Sequence, residues 1–160
     1  MGTNLSPARE SAISGQHNTD LIQAFTDAMT SDDIERVVNI FDPDCEWVIM
    51  ATGETFRGRD KIRQLATRTV AARNHPAELG IKPINVFTNP EGTKLCWEYV
   101  HKALITDKWS ASASRQSLDT KFELPIVLTC EIRQGKLVKV REYFDMLTAL
   151  EPGTAHRLYS

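Results

Sequence analysis

Long apolar runs are missing from this chain. No stretch approaches the roughly 20 consecutive apolar residues that a membrane helix needs. The N-terminal segment "MGTNLSPARESAISGQHN" has no apolar centre of the kind a secretory signal carries. No membrane partner and a cytoplasmic setting are therefore expected. Gly2 and Ser6 do match the myristoylation pattern Met-Gly-x-x-x-Ser, which is short and frequent by chance. An excess of one charge is missing too. Nineteen basic against 21 acidic residues leave a formal net charge of −2, which gives no electrostatic footprint for nucleic acid. The three cysteines, Cys45, Cys96 and Cys130, are an odd number without a Cys-x-x-Cys, so neither a disulfide framework nor a zinc knuckle is indicated. Each lies in an apolar, strand-like run, where a buried reduced thiol is expected. His17, His75, His101 and His156 are scattered, and no glycine-rich phosphate loop occurs. No metal and no cofactor are expected.

What is present is the composition of an ordinary soluble domain. The 160 residues are 41% hydrophobic and 25% charged, enough for one domain with one core. Residues 1–18 lack apolar periodicity and read as a mobile tail. Thr19 is placed to cap a helix whose apolar side is Leu21, Ile22, Phe25, Ala28 and Met29. Ser31 is placed to cap a second helix, with Asp32, Asp33 and Glu35 in its first turn and Ile34, Val37, Val38 and Phe41 as its stripe. "DPD" reads as a turn and "CEWVIM" as a short strand. "FRGRDKIRQLATRTVAARN" carries the longest helical pattern, closed by His75-Pro76. The period then changes. "IKPINVFTN", "TKLCWEYVHKALI", "FELPIVLTCEIR" and "KLVKVREYF" read as four strands, the last two joined by a tight turn at Gln134-Gly135. Helices in front and an antiparallel sheet behind predict an α+β domain with a pocket between sheet and helices.

The closing strand, "GKLVKVREYFD", mixes polar and apolar residues on both faces. Strict alternation groups Leu137, Lys139, Arg141, Tyr143 and Asp145 on one face, and Val138, Val140, Glu142 and Phe144 on the other. A single bulge would exchange the faces of everything beyond it.

Three segments in this order resemble a known family. "FTDAMTSDDIERVVNIFDPDCEW", "FRGRDKI" and "GKLVKVREYFD" are similar to the opening, the strand-to-third-helix motif and the last strand of the SnoaL-like, nuclear-transport-factor-2-like superfamily. The resemblance covers about residues 19–150, leaving 151–160 as a C-terminal tail. It implies a cone-shaped curved antiparallel sheet wrapped over three helices, an internal, mostly apolar pocket, and commonly a homodimer through the outer sheet face. It does not imply one reaction, because the superfamily includes isomerases, cyclases, epoxide hydrolases, dehydratases and binding proteins.

The chain's end is closest to the limonene-epoxide-hydrolase branch, whose pocket aspartate corresponds to Asp145. That branch's arginine–aspartate pair falls on Tyr99 and His101, and its first-strand tyrosine and asparagine fall near Val48 and Met50. The catalytic aspartate of the isomerase branch falls on Ile49. Polyketide cyclases tend to use a His and Asp pair, which His101 and Asp145 match in residue type.

The resemblance turns Asp145 and the Tyr99/His101 face into the pocket. An aspartate beside an imidazole in a dry pocket is a general acid/base pair, and Tyr99 or Tyr143 can donate to a developing oxyanion. Trp47, Ile49, Phe56, Trp97 and Trp109 are the expected pocket walls. The expected activity is cofactor-independent isomerisation or cyclisation of a small hydrophobic carbonyl- or epoxide-bearing molecule. The alternatives are a non-catalytic binding protein of the same fold, and an epoxide hydrolase or dehydratase.

Overall fold

The computed structural model describes residues 7–71, 73–74, 80–105 and 121–145. The chain opens with α1 (Pro7–Thr30) and α2 (Ile34–Asn39), then β1 (Phe41–Ile49), β2 (Glu54–Arg57) and α3 (Arg59–Ala71). A two-residue strand β3 (Arg73–Asn74) is followed by β4 (Gly80–Thr88), β5 (Lys94–Ile105), β6 (Lys121–Arg133) and β7 (Lys136–Phe144). The α+β class is as expected. One curved, unclosed sheet runs in the order β2-β1-β7-β6-β5-β3, with β4 also paired to β5.

The helices differ from expectation at their starts. α1 begins at Pro7 rather than at Thr19, so much of the segment read as a tail is helical. Asn18 on that extension is buried, and its Nδ2 donates to the Gly92 carbonyl oxygen at 3.3 Å. Ser31 does not cap α2: its hydroxyl donates back to the Asp27 carbonyl oxygen, closing α1. Asp33 is the cap, its carboxylate accepting from the Arg36 backbone N–H at 3.0 Å. One helix therefore ends and the next begins within three residues, which folds α2 back against α1.

The sheet is not purely antiparallel. β1 and β7 pair in parallel, an arrangement that the long chain between them permits and a tight hairpin would not. β4, β5, β6 and β7 are antiparallel neighbours. The turn at Gln134-Gly135 is the tight one expected: both residues have positive φ, 51° and 70°, as a two-residue turn matching strand twist requires.

Alternation holds on the two long strands. Leu95, Trp97, Tyr99 and His101 on β5 are buried, as are Leu124, Ile126, Leu128 and Cys130 on β6. Pro125 pairs with Val100 without disturbing the register, and Glu123 points outward, where Lys102 meets it at 2.7 Å. β7 behaves differently. Glu131 pairs with Lys139, but the next residue, Ile132, pairs with Leu137. Val138 is thus the extra residue of a bulge. Leu137 and Val140, three apart, both point into the core at 2% and 0% exposure. Beyond the bulge Val140 and Glu142 face inward, while Tyr143 is exposed on the outer face with Phe87 of β4.

Helix residues Ile22, Phe25, Ala28 and Met29, then Val37 and Val38, then Ile62, Leu65 and Ala66, close the core against this inner face. Phe25 sits at its centre, with ring contacts to Phe41, Trp47 and Trp97. The bulge makes a direct prediction. Leu137→Ala should cost about 2–5 kcal/mol in urea unfolding, whereas Val138→Ala should cost less than about 1 kcal/mol. The reverse order would mean that Val138, not Leu137, faces the core.

Candidate active site

Between the inner sheet face and the helices lies a cavity of about 490 Å³, open mouth included. α1, α2 and α3 supply a wall that is apolar except for Thr69. The sheet supplies the chemistry: Trp47 from β1, Tyr99 and His101 from β5, and Glu142 from β7.

Glu142 is the acid of this cavity. It is half-buried as a residue, and burial of its carboxyl group pushes the pKa from the ordinary 4.5 up to about 7. One contact opposes that rise: the indole Nε1–H of Trp47 donates to Glu142 Oε2 at 3.0 Å, favouring the charged form. The bond is a product of register. Val140, the inward neighbour of Glu142, pairs with Trp47, and Glu142 itself pairs with Ile49.

Tyr99 is buried and has Trp97 stacked against one face, with ring centroids 4.3 Å apart. His101, also buried, comes two residues later on the same strand face. The register separates His101 from Glu142. His101 pairs with Leu124 and Glu142 with Leu128, so they lie two strands and four residues apart. On a flat sheet that is roughly 16 Å between Cα atoms, and curvature shortens it. A bound molecule would lie between the carboxyl and the imidazole, each reaching a different part of it.

Several expected site residues stand elsewhere. Asp145 is exposed just past the end of β7 and is not on the cavity wall. Tyr143 is 41% exposed on the outer face. The bulge at Val138 moves both outward. Trp97 is fully buried behind Tyr99 rather than on the wall, and its Nε1 has no partner among the described residues. Ile49 is core, and Phe56 packs under the Arg68 guanidinium at 5.4 Å from the ring centroid; neither lines the cavity. Trp109 lies outside the described residues. Trp47, Tyr99 and His101 line the cavity wall.

Glu142 was missed, although the sequence held a signal for it. Strict alternation with Asp145 inside also turns Lys139 and Arg141 inside, and two inward cations on one strand are costly. With Val140, Glu142 and Phe144 inside, a single carboxyl is buried. Among the described residues no group of three or more His, Cys, Asp or Glu is arranged to hold a metal ion, and no helix is long and apolar enough to cross a membrane.

The chain belongs to the SnoaL-like domain family, which matches residues 22–140. No functionally curated protein matches it. Among solved structures it resembles a candidate polyketide cyclase from Xanthomonas campestris, with 18% identity, 86% of this chain and 96% of that one covered, and a TM-score of 0.70. It also resembles SalBIII, an epoxide hydrolase/cyclase-like enzyme of pyran ring formation in polyether salinomycin, with 15% identity, coverage of 84% and 95%, and a TM-score of 0.66. A third is a hypothetical protein with a ketosteroid isomerase-like fold from Catenulispora acidiphila, solved in complex with trimethylamine, with 20% identity, coverage of 81% and 88%, and a TM-score of 0.65. At these identities the likeness shows the fold alone.

The raised pKa of Glu142 has a consequence for stability. Below about pH 4.5 the carboxyl is neutral whether the chain is folded or not. As pH rises through about 7 the folded state must carry a charge it disfavours, so the advantage of the neutral form is lost. Glu142→Gln should therefore match the native protein near pH 4 and become the more stable of the two by about 2 kcal/mol above pH 8. That figure is below the full shift because the protein relaxes around the charged carboxylate. Parallel thermal melts across this range check it.

Proposed function

We propose that the protein is a cofactor-independent acid/base enzyme, an isomerase or cyclase, acting on a small hydrophobic carbonyl- or epoxide-bearing molecule. The observation that carries this reading is the Glu142 carboxyl, held by Trp47 in a cavity with an apolar helical wall and with a pKa near 7. A group with that pKa is part charged and part neutral at neutral pH, so it can both take and return a proton. In a double-bond migration Glu142 removes a proton from the carbon beside the carbonyl. The electron pair moves onto the carbonyl oxygen as an enolate, and the same proton returns at the far carbon. Tyr99 or His101, on another part of the wall, donates to the enolate oxygen. Ring closure uses the same parts, with the enolate carbon attacking an internal electrophile.

A second reading is a non-catalytic binding protein, favoured by the apolar face that the three helices present to the cavity. Glu142 is then only a polar contact for the ligand.

The two readings separate in deuterium oxide. With a panel of small β,γ-unsaturated ketones followed by NMR, the native protein should accelerate isomerisation or deuterium uptake. Glu142→Gln should lower kcat/KM by about 10²–10⁴-fold, and Asp145→Asn should leave it unchanged. Binding without exchange, in native protein and Glu142→Gln alike, would leave the binding-protein reading in place of the enzyme.

A further inference from the structure

We infer that the cavity accepts compact alkylammonium cations, bound between the aromatic rings of Phe25, Trp47 and Tyr99 and the carboxylate of Glu142. The inference shares with the enzyme reading only the presence of the Glu142 carboxyl in the cavity, and it adds a class of ligand. Its basis is the balance of charge on the wall. Among the described residues, α1, α2, α3, β4 and β6 present only uncharged side chains to the cavity, and β1 presents Trp47. The titratable groups facing Glu142 across it are Tyr99 and His101, both from β5. Neither Lys nor Arg lines it, so among the described residues no permanent cation neutralises the carboxylate there.

A buried anion with one neutral donor, the Trp47 indole, is incompletely compensated. An entering cation supplies the missing charge. The aromatic residues make the same selection from another direction. Phe25, Trp47 and Tyr99 all line the cavity, and ring faces attract cations, most strongly when water is excluded. Trp97 already covers one face of Tyr99, and Phe25 and Trp47 are tilted at 35° with centroids 6.1 Å apart. The rings are thus held by their neighbours before any ligand arrives, which reduces the cost of ordering them. An alkylammonium group with methyl or methylene substituents satisfies both demands, since it carries charge and an apolar shell together. An anionic ligand satisfies neither.

The test uses two probes of the same shape, choline and its neutral carbon isostere 3,3-dimethylbutan-1-ol, with affinities measured by ligand-observed NMR on the native protein. At pH 8.5 choline should bind about tenfold or more tightly than the isostere. Lowering the pH to 5.5 protonates Glu142 and should reduce that preference several-fold without any substitution. Glu142→Gln at pH 8.5 should reduce it as well, by weakening choline more than the isostere. Equal affinity for the two probes at pH 8.5, preference for the isostere, or binding of neither would overturn the inference. So would a choline preference left undiminished by both pH 5.5 and Glu142→Gln. Deuterium exchange into ketones that depends on Glu142 alongside such a failure would refute the cation site alone and leave the acid/base reading intact.

Discussion

Val138 has no partner on β6, and the identity of the cavity's acid depends on that single unpaired residue. With it in place, Leu137 and Val140 both reach the core, and the inward set continues to Glu142. Without it, regular alternation from Leu137 would carry Lys139, Arg141 and Asp145 inward instead. Those two cations find better places outside. Lys139 meets Glu46 at 3.2 Å and Arg141 meets Glu131 at 3.8 Å, both partly exposed. Pairs of this kind contribute little by themselves. Their importance is that the alternative register would place the same charges in an apolar core.

The cavity follows from the same arrangement. β1 and β7 run parallel, so Trp47 and Glu142 advance together along neighbouring strands until the indole N–H meets the carboxyl. Helices α1, α2 and α3 cover the opposite side with side chains that exclude water and offer no charge. A carboxyl in that setting resists ionisation, and the one hydrogen bond from Trp47 only moderates this. Fold and chemistry are linked here: the packing that stabilises the sheet–helix interface also holds Glu142 at a pKa suited to proton transfer near neutrality.

Much of the fold was legible because its signals are local. The apolar side of α1 from Leu21 to Met29, the alternation of β5 and β6, and the turn at Gln134-Gly135 each follow from period or turn chemistry over a few residues. The start of α1 was not, since residues before Thr19 lack an apolar stripe and the helix there is marked by no local pattern. The parallel pairing of β1 with β7 joins residues about 90 positions apart, beyond the reach of any local signal. In the site, Tyr99 and His101 were legible because β5 alternates without interruption. Glu142 was not, because a bulge is a decision between two ladders, visible in one strand's sequence only through the burial of charge that the other choice demands. Trp97 shows a further limit: alternation gives the face of a residue, but not whether it borders the cavity or stands behind the residue that does.

The central claim is that β7 turns Glu142, rather than Asp145, into the cavity. Carbon-13 NMR of the glutamate carboxyls against pH tests it most directly, with the Glu142 resonance assigned by its loss in Glu142→Gln. A midpoint near 7 is predicted. A midpoint at the ordinary 4.5 would place the Glu142 carboxyl in water, and the bulge would no longer define the site.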